Sequence, residues 1–235
     1  MSPSSRYGET WVYESIVGAL PGVTLTPTRA VAVQFGLFEA AVLGLAAAYD
    51  LWTAAVAGTV AVAVATAGSV AMLRIGAAIR RLDTPAAYRR LLFGSSVEVV
   101  LAVLAFVALV TYLFVGVPGL PGAPGRPFLR SLFGPDPPPL VVYLTLLVLW
   151  DLCYRVGTAW WTAVVALWGA TRYRFDRRTV AGLRRVDATN VAFALVQLAL
   201  VPFLTDQPVL LVAVGGHVAA VTLVSAAAVG LVREE

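Results

Sequence analysis

Residues 139–171 read PLVVYLTLLVLWDLCYRVGTAWWTAVVALWGAT, a run interrupted only by the charges Asp151 and Arg155. A helix that is apolar on all sides, with no polar face to turn toward water, belongs inside a very large core or inside a membrane. At about 1.5 Å per residue the run approaches about 50 Å, well beyond a hydrocarbon layer of about 30 Å. It must therefore protrude, tilt strongly or break, and Gly157 is the expected break point.

The rest of the chain decides between core and membrane. Its 235 residues are 60% hydrophobic and 13% charged, with a mean hydropathy of +0.84, whereas soluble domains are about 45–50% apolar and about 25% charged. Too few polar side chains remain to cover a water-facing surface, so most of the outside must face lipid. Windows of about 20 apolar residues bounded by caps, prolines and arginines predict spans over about 27–49, 51–78, 96–117, 139–170, 188–204 and 208–232. The expected fold class is all-α, a polytopic transmembrane bundle. Thr26 and Pro27 form an N-cap and first-position proline. Tyr49, Asp50 and Trp52 mark a hairpin at headgroup level without glycine or proline. Ser95 followed by Glu98 has the spacing of a capping box, which gives that carboxylate a structural role.

Arginine placement sets the orientation, because loops on the cytoplasmic side carry the excess of basic residues. Arg74, Arg80, Arg81, Arg89 and Arg90 follow the second span, and Arg172, Arg174, Arg177, Arg178, Arg184 and Arg185 follow the fourth, while Arg6, Arg29 and Arg233 share their side. Only Arg126 and Arg130 lie opposite, in the Pro/Gly-rich stretch 118–139. An even number of spans then gives N-in/C-in. Of these, Arg80, Arg81, Arg89, Arg90, Arg177, Arg178, Arg184 and Arg185 are the candidate contacts for anionic lipid or a protein partner. Residues 1–26 form a cytoplasmic segment. Trp11, Val12, Ile16, Ala19 and Leu20 share one side at helical spacing, as in an interfacial amphipathic helix, the alternative being a cap packed on the loops. Trp11 and Trp52 are expected to act as interface anchors. The short FLRSLF stretch at 128–133 is expected to lie back on the bilayer or on the bundle.

Small residues let helices approach closely in lipid. Gly36, Ala40, Gly44 and Ala48 on the first span, and Ala57, Ala61 and Ala65 on the second, form two such stripes. They are expected to pack on each other within the chain rather than drive a homo-oligomer.

The inventory excludes much chemistry. All 17 basic residues are arginine, so retinal or pyridoxal Schiff bases and lysine-dependent phosphate loops are out. One histidine and one cysteine, His217 and Cys153, cannot build a zinc site, a bis-histidine haem or an internal disulfide. Six spans with a histidine on the last suggest an intramembrane protease, but the fourth span lacks the required serine motif. No enzyme activity, cofactor or nucleic-acid partner is expected.

Ionisable groups at membrane depth cost roughly 2.5–3.5 kcal/mol each on insertion scales, and each is a candidate site. Counted from the end away from the arginine clusters, Glu39 lies about 15 Å deep, Asp151 about 17 Å, Arg155 about 23 Å and His217 about 14 Å. With Gln34 and Gln197 at similar depth, these residues form a candidate intramembrane polar cluster. Asp151 and Arg155 are spaced i, i+4 and can neutralise each other; they are either a clamp that fixes helix register or part of a buried site. His217 is either a neutral imidazole bonded between helices, with Gly215 and Gly216 admitting a neighbour, or a functional group. Glu39 must pair with a cation or stay protonated. Two functions compete: a scaffold or accessory membrane subunit, expected first because no motif demands more, and a small proton-coupled or ion/solute carrier using the polar cluster.

The stretches ETWVYESIVGALPG (9–22), RRLLFGSSVEVVLAVLAFVALVTYLFV (89–115) and VLWDLCYRVGTAWWTAVVALWG (148–169) resemble a family of uncharacterised multi-pass membrane proteins from haloarchaea. The resemblance covers nearly the whole chain. It implies an archaeal source and a place in the cell membrane, and it assigns no residue a role.

Overall fold

A computed structural model describes residues 10–11, 26–115 and 128–235. These form α1 (Pro27–Tyr49), α2 (Trp52–Ile79), α3 (Ala86–Gly94), α4 (Val97–Val115), α5 (Phe128–Phe133), α6 (Pro139–Arg172), α7 (Arg177–Val196), a 3-10 helix (Gln197–Phe203) and α8 (Pro208–Leu231). Two-residue strands β1 (Arg174–Phe175) and β2 (Arg233–Glu234) pair in parallel. Six segments of the described residues are long and apolar enough to cross a membrane. The chain is thus all-α in architecture, as its composition demands. The expected interfacial helix at the N-terminus falls outside the described residues, apart from Thr10, Trp11 and Thr26.

The spans alternate in direction, so the arginine-bearing connections gather at one end with the start of α1 and the end of α8. At that end the β1–β2 ladder ties Arg174 to Arg233. At the other end, Tyr112 on α4 donates its hydroxyl to Gln207 Oε1 at 2.7 Å, ahead of α8. Central α6 packs against α2, α3, α4, α7 and α8, whereas α1 sits at the edge against α2 and α6.

Local chemistry explains the ends. The α1–α2 turn needs no glycine because Asp50 takes the left-handed conformation (φ 54°, ψ 43°) and the Leu51 N–H reaches back to Ala46 O at 3.0 Å. A short polar side chain tolerates that region better than most. Asp176 caps α7 by accepting from the N–H groups of Arg178 and Thr179 at 2.8 and 3.1 Å. This cap starts α7 at Arg177 rather than near Ala188. The added turns are amphipathic, burying Val180, Leu183 and Val186 while Arg177, Arg178, Arg184 and Arg185 face out. An apolar-window search passes over such a segment, since its signal is periodicity and not mean hydropathy.

The long fourth span neither breaks nor kinks out of helical hydrogen bonding at Gly157. All 34 residues are helical, and Gly157 instead marks a close approach. A Cβ there would stand 2.9 Å from Glu98 O and 3.0 Å from Ala102 N of α4. The excess length of α6 extends into the arginine-rich end, where Trp11, Met72, Ile79, Tyr88, Leu92, Phe93, Phe175 and Val180 share a core. Trp11 belongs to that core and is not an interface anchor: it is fully buried, edge-on to Phe93 with ring centroids 4.8 Å apart. The short α3, unforeseen in sequence, supplies Tyr88, Leu92 and Phe93 from one face. Phe128–Phe133 lies on the bundle, with Leu129 buried against Tyr112 and Leu113.

Three packing expectations are corrected. The capping box does not form: Ser95 Oγ donates to Leu91 O at 2.7 Å, and Ser96 turns the chain with φ 55°, so Glu98 does not close onto a serine cap. The α1 stripe does not meet the α2 stripe. Gly36, Ala40, Gly44 and Ala48 are exposed, and nothing among the described residues lies within 4 Å of a Cβ built at Gly36 or Gly44. Instead Val42 and Ala46 face α2, Val42 lying 3.1 Å from a Cβ built at Gly58. The side chains that bury most apolar area set the rotation of α1, and its glycines are left facing out. Gly215 and Gly216 likewise have no neighbour within 4 Å among the described residues and admit no helix to His217.

Candidate functional site

The six polar residues expected in one cluster fall into three settings. The first is a clamp at the centre of α6. Asp151 and Arg155 stand one turn apart, and the guanidinium Nη2 donates to Asp151 Oδ1 at 2.7 Å. The Gln34 amide on α1 donates to Asp151 Oδ2 at 2.8 Å, and Ser69 on α2 donates to Gln34 Oε1 at 3.1 Å. Arg155, fully buried, also donates through Nη1 to Met72 Sδ at 3.3 Å, and its charge lies 5.6 Å from the Tyr154 ring centroid. Gly68 makes room for this arrangement, since a Cβ there would meet Arg155 Cγ at 2.9 Å and Phe193 Cζ at 2.7 Å. Charge is neutralised within one helix, and both carboxylate oxygens are engaged. Such a unit ties three spans into one register.

The second setting is Glu39, whose Oε1 accepts the Thr59 hydroxyl of α2 at 2.7 Å. Its Oε2 is buried with no hydrogen-bond partner among the described residues. The bond joins α1 to α2 and stands apart from the Asp151–Arg155 pair.

The third setting lies in the half of the bundle away from the arginines, where the spans and the 3-10 helix line a partly open cavity of about 320 Å3. Apolar side chains make most of its wall, and Gln197 and His217 are among the lining residues. Gln197 is 3% exposed. The Nε2 atoms of both residues are buried without a hydrogen-bond partner among the described residues. Each such group costs about 1–3 kcal/mol relative to a satisfied one.

Sequence reasoning missed two further buried polar positions. Asp187, 4% exposed, and Asn190, 1% exposed, lie on α7, where Asn190 Nδ2 donates to Ala159 O of α6 at 2.9 Å. Asp187 falls just ahead of the apolar window that begins near 188 and Asn190 just inside it, and the three- and four-residue periodicity with Val180, Leu183 and Val186 is the signal that would have placed them inward. Glu98, taken as a cap, is fully buried beside Gly157.

At the arginine-rich end, Arg80, Arg81, Arg90, Arg177, Arg178, Arg184 and Arg185 are exposed. Arg80 stacks over Phe93 at 5.9 Å. Arg89 is half-buried and donates to the Thr84 carbonyl. Beside them Asp176 is held below the usual carboxylate range, first by the Thr179 hydroxyl and then by the Thr179 N–H. Among the described residues no group of three or more His, Cys, Asp or Glu side chains could hold a metal ion.

With the geometry in place, comparison adds a family and no activity. The profile of a family of unknown function, DUF7530, matches residues 6–228, and the chain belongs to that family. No curated protein and no solved structure matches it.

Proposed function

We propose that this membrane protein is a scaffold or accessory subunit of a cell-membrane assembly, without catalytic activity of its own. The observation that carries the reading is the closed Gln34–Asp151–Arg155 unit, in which both carboxylate oxygens of Asp151 are bonded inside the protein. A carrier using these charges would need them open to a solute or proton path. A clamp needs them as they stand, since buried pairs fix packing more than they add stability. The arginine excess supports a reading in which both ends of the bundle face the cytoplasm, and the archaeal source rests on the resemblance given above.

The exposed guanidinium groups of Arg177, Arg178, Arg184 and Arg185 are the proposed contact for anionic headgroups or for a partner subunit. Purification in mild detergent tests this directly. A stoichiometric partner or retained anionic lipid, lost when these four arginines become glutamine, supports the scaffold. Reconstituted vesicles provide the opposing test. A proton or solute flux that Glu39→Gln or His217→Ala abolishes would replace the scaffold with the carrier.

A further inference from the structure

The cavity beyond the clamp asks for an occupant that the scaffold reading does not supply. Among the described residues its lining includes no charged side chain, and the polar side chains in it are those of Thr145, Cys153, Gln197 and His217. The Thr145 hydroxyl is already spent on Val141 O at 2.8 Å, and the buried Cys153 thiol is a weak donor. Gln197 and His217 are left as the hydrogen-bonding groups of an otherwise apolar chamber. Both bring a buried nitrogen that has no partner among the described residues, and Gln197 itself is almost wholly buried.

Those facts narrow the chemistry. A plain hydrocarbon chain would fill the volume and leave both nitrogens unsatisfied. An anionic or cationic headgroup would find no counter-charge in the wall, and the Asp151–Arg155 pair is closed on itself. Water needs two to four polar partners at each position, which so apolar a wall does not offer. The remaining class is neutral, mostly apolar, and able to accept a hydrogen bond from an amide N–H. The volume, about 320 Å3, falls at the small end of ligand pockets, which run about 300–1,000 Å3.

We propose that the chamber framed by Gln197 and His217 is a binding site for a neutral lipid-soluble carbonyl compound, whose oxygen accepts from Gln197 Nε2 and whose apolar body fills the space between α2, α4 and α6. His217 flanks the same oxygen, and its Nε2 donates or accepts according to tautomer. The site is independent of the arginine-rich surface, so it holds whether or not a protein partner exists.

The test uses the full chain in zwitterionic nanodiscs with two photoactivatable probes, a long-chain methyl ketone and an alkane of equal length carrying the same diazirine. The ketone is expected to label residues of the cavity wall about tenfold more strongly than the alkane. Gln197→Leu with His217→Leu is expected to bring ketone labelling down to the alkane level, and Ala61→Phe or Ala105→Leu, which fill the chamber, to block both probes. Melting temperature provides a second readout in the same discs: the ketone raises it for the native chain and leaves it unchanged for the Gln197, His217 double variant. Equal labelling by the two probes would mean a pocket for acyl chains only and would overturn the proposal. So would ketone labelling that ignores the filling variants.

Discussion

The amide nitrogen of Gln34 lies 2.8 Å from Oδ2 of Asp151, joining the edge helix α1 to the middle of the central helix α6. That bond and the Asp151–Arg155 pair share a single carboxylate, so the three residues stand or fall together. Removing the guanidinium leaves a largely covered carboxylate, 17% exposed, whose charge has lost its counterpart. Arg155→Met is therefore expected to destabilise the bundle by about 3–5 kcal/mol, whereas combining it with Asp151→Leu recovers most of the loss, because exchanging a whole buried pair for apolar side chains is close to neutral. Denaturant titration in micelles measures both. A double variant no more stable than Arg155→Met would show that the pair is not a closed unit.

Gly157 and Gly44 offer a contrast on two spans. A Cβ at Gly157 runs into the α4 backbone at 2.9 Å, and one at Gly44 meets nothing within 4 Å among the described residues. Overpacking a close helix contact costs about 1–3 kcal/mol, so Gly157→Val is expected to lower the melting temperature clearly and Gly44→Val hardly at all. Thermal unfolding followed by circular dichroism separates them. Equal effects would mean that α4 and α6 do not approach as closely as described.

Trp11 belongs to the hydrophobic core that joins the helices at the arginine-rich end. Fully buried against Phe93, it is expected to cost about 3–5 kcal/mol when cut to alanine, the range for large aromatic deletions in a core. The Phe93→Ala change should act on the same contact, giving less than the sum of the two losses. Additive losses in the double variant would place Trp11 elsewhere.

How much of this was legible follows from which interactions leave a mark on a single segment. The six spans were, because about 20 apolar residues in a row is a local property, and so was the Asp151–Arg155 pair, because i, i+4 spacing is local too. The start of α7 was obscured by Arg177, Arg178, Arg184 and Arg185, which lower the mean hydropathy of a segment whose other face is buried. The rotation of α1 was misread because a small-residue stripe indicates where helices can approach and not where they do; Val42 and Ala46 decided that contact. Trp11 and the Gln197–His217 chamber depend on side chains far apart in sequence, and no window contains them.

Asp176 offers a pH-dependent handle on the arginine-rich end. Its folded pKa is depressed below the ordinary 3.8 by the Thr179 hydroxyl and the capping N–H bonds. A depressed carboxylate contributes its stability above the unfolded pKa and loses it as the pH falls through the folded value. The native chain is therefore expected to lose α7 capping as acid is taken below about pH 4, and Asp176→Ala to remove that part of the acid dependence while weakening the helix start at neutral pH. Hydrogen exchange of the Arg178 and Thr179 amides across that range is the measurement. Protection that does not change with pH would mean the carboxylate is not the cap.

The orientation can be settled by labelling from each face. With Cys153 replaced by alanine, a cysteine at Asp206 lies in the turn before α8 and one at Arg178 in the first turn of α7, at opposite ends of the same pair of helices. On the orientation expected from the arginine excess near the membrane edge, position 178 faces the cell interior. A membrane-impermeant maleimide added to intact cells is expected to label the cysteine at position 206 and to reach the one at 178 only after permeabilisation. The reverse pattern would turn the bundle over, moving the arginine-rich surface and its anionic-lipid contact to the outer leaflet. The Gln197–His217 chamber would keep its chemistry, since the described residues that line it are uncharged.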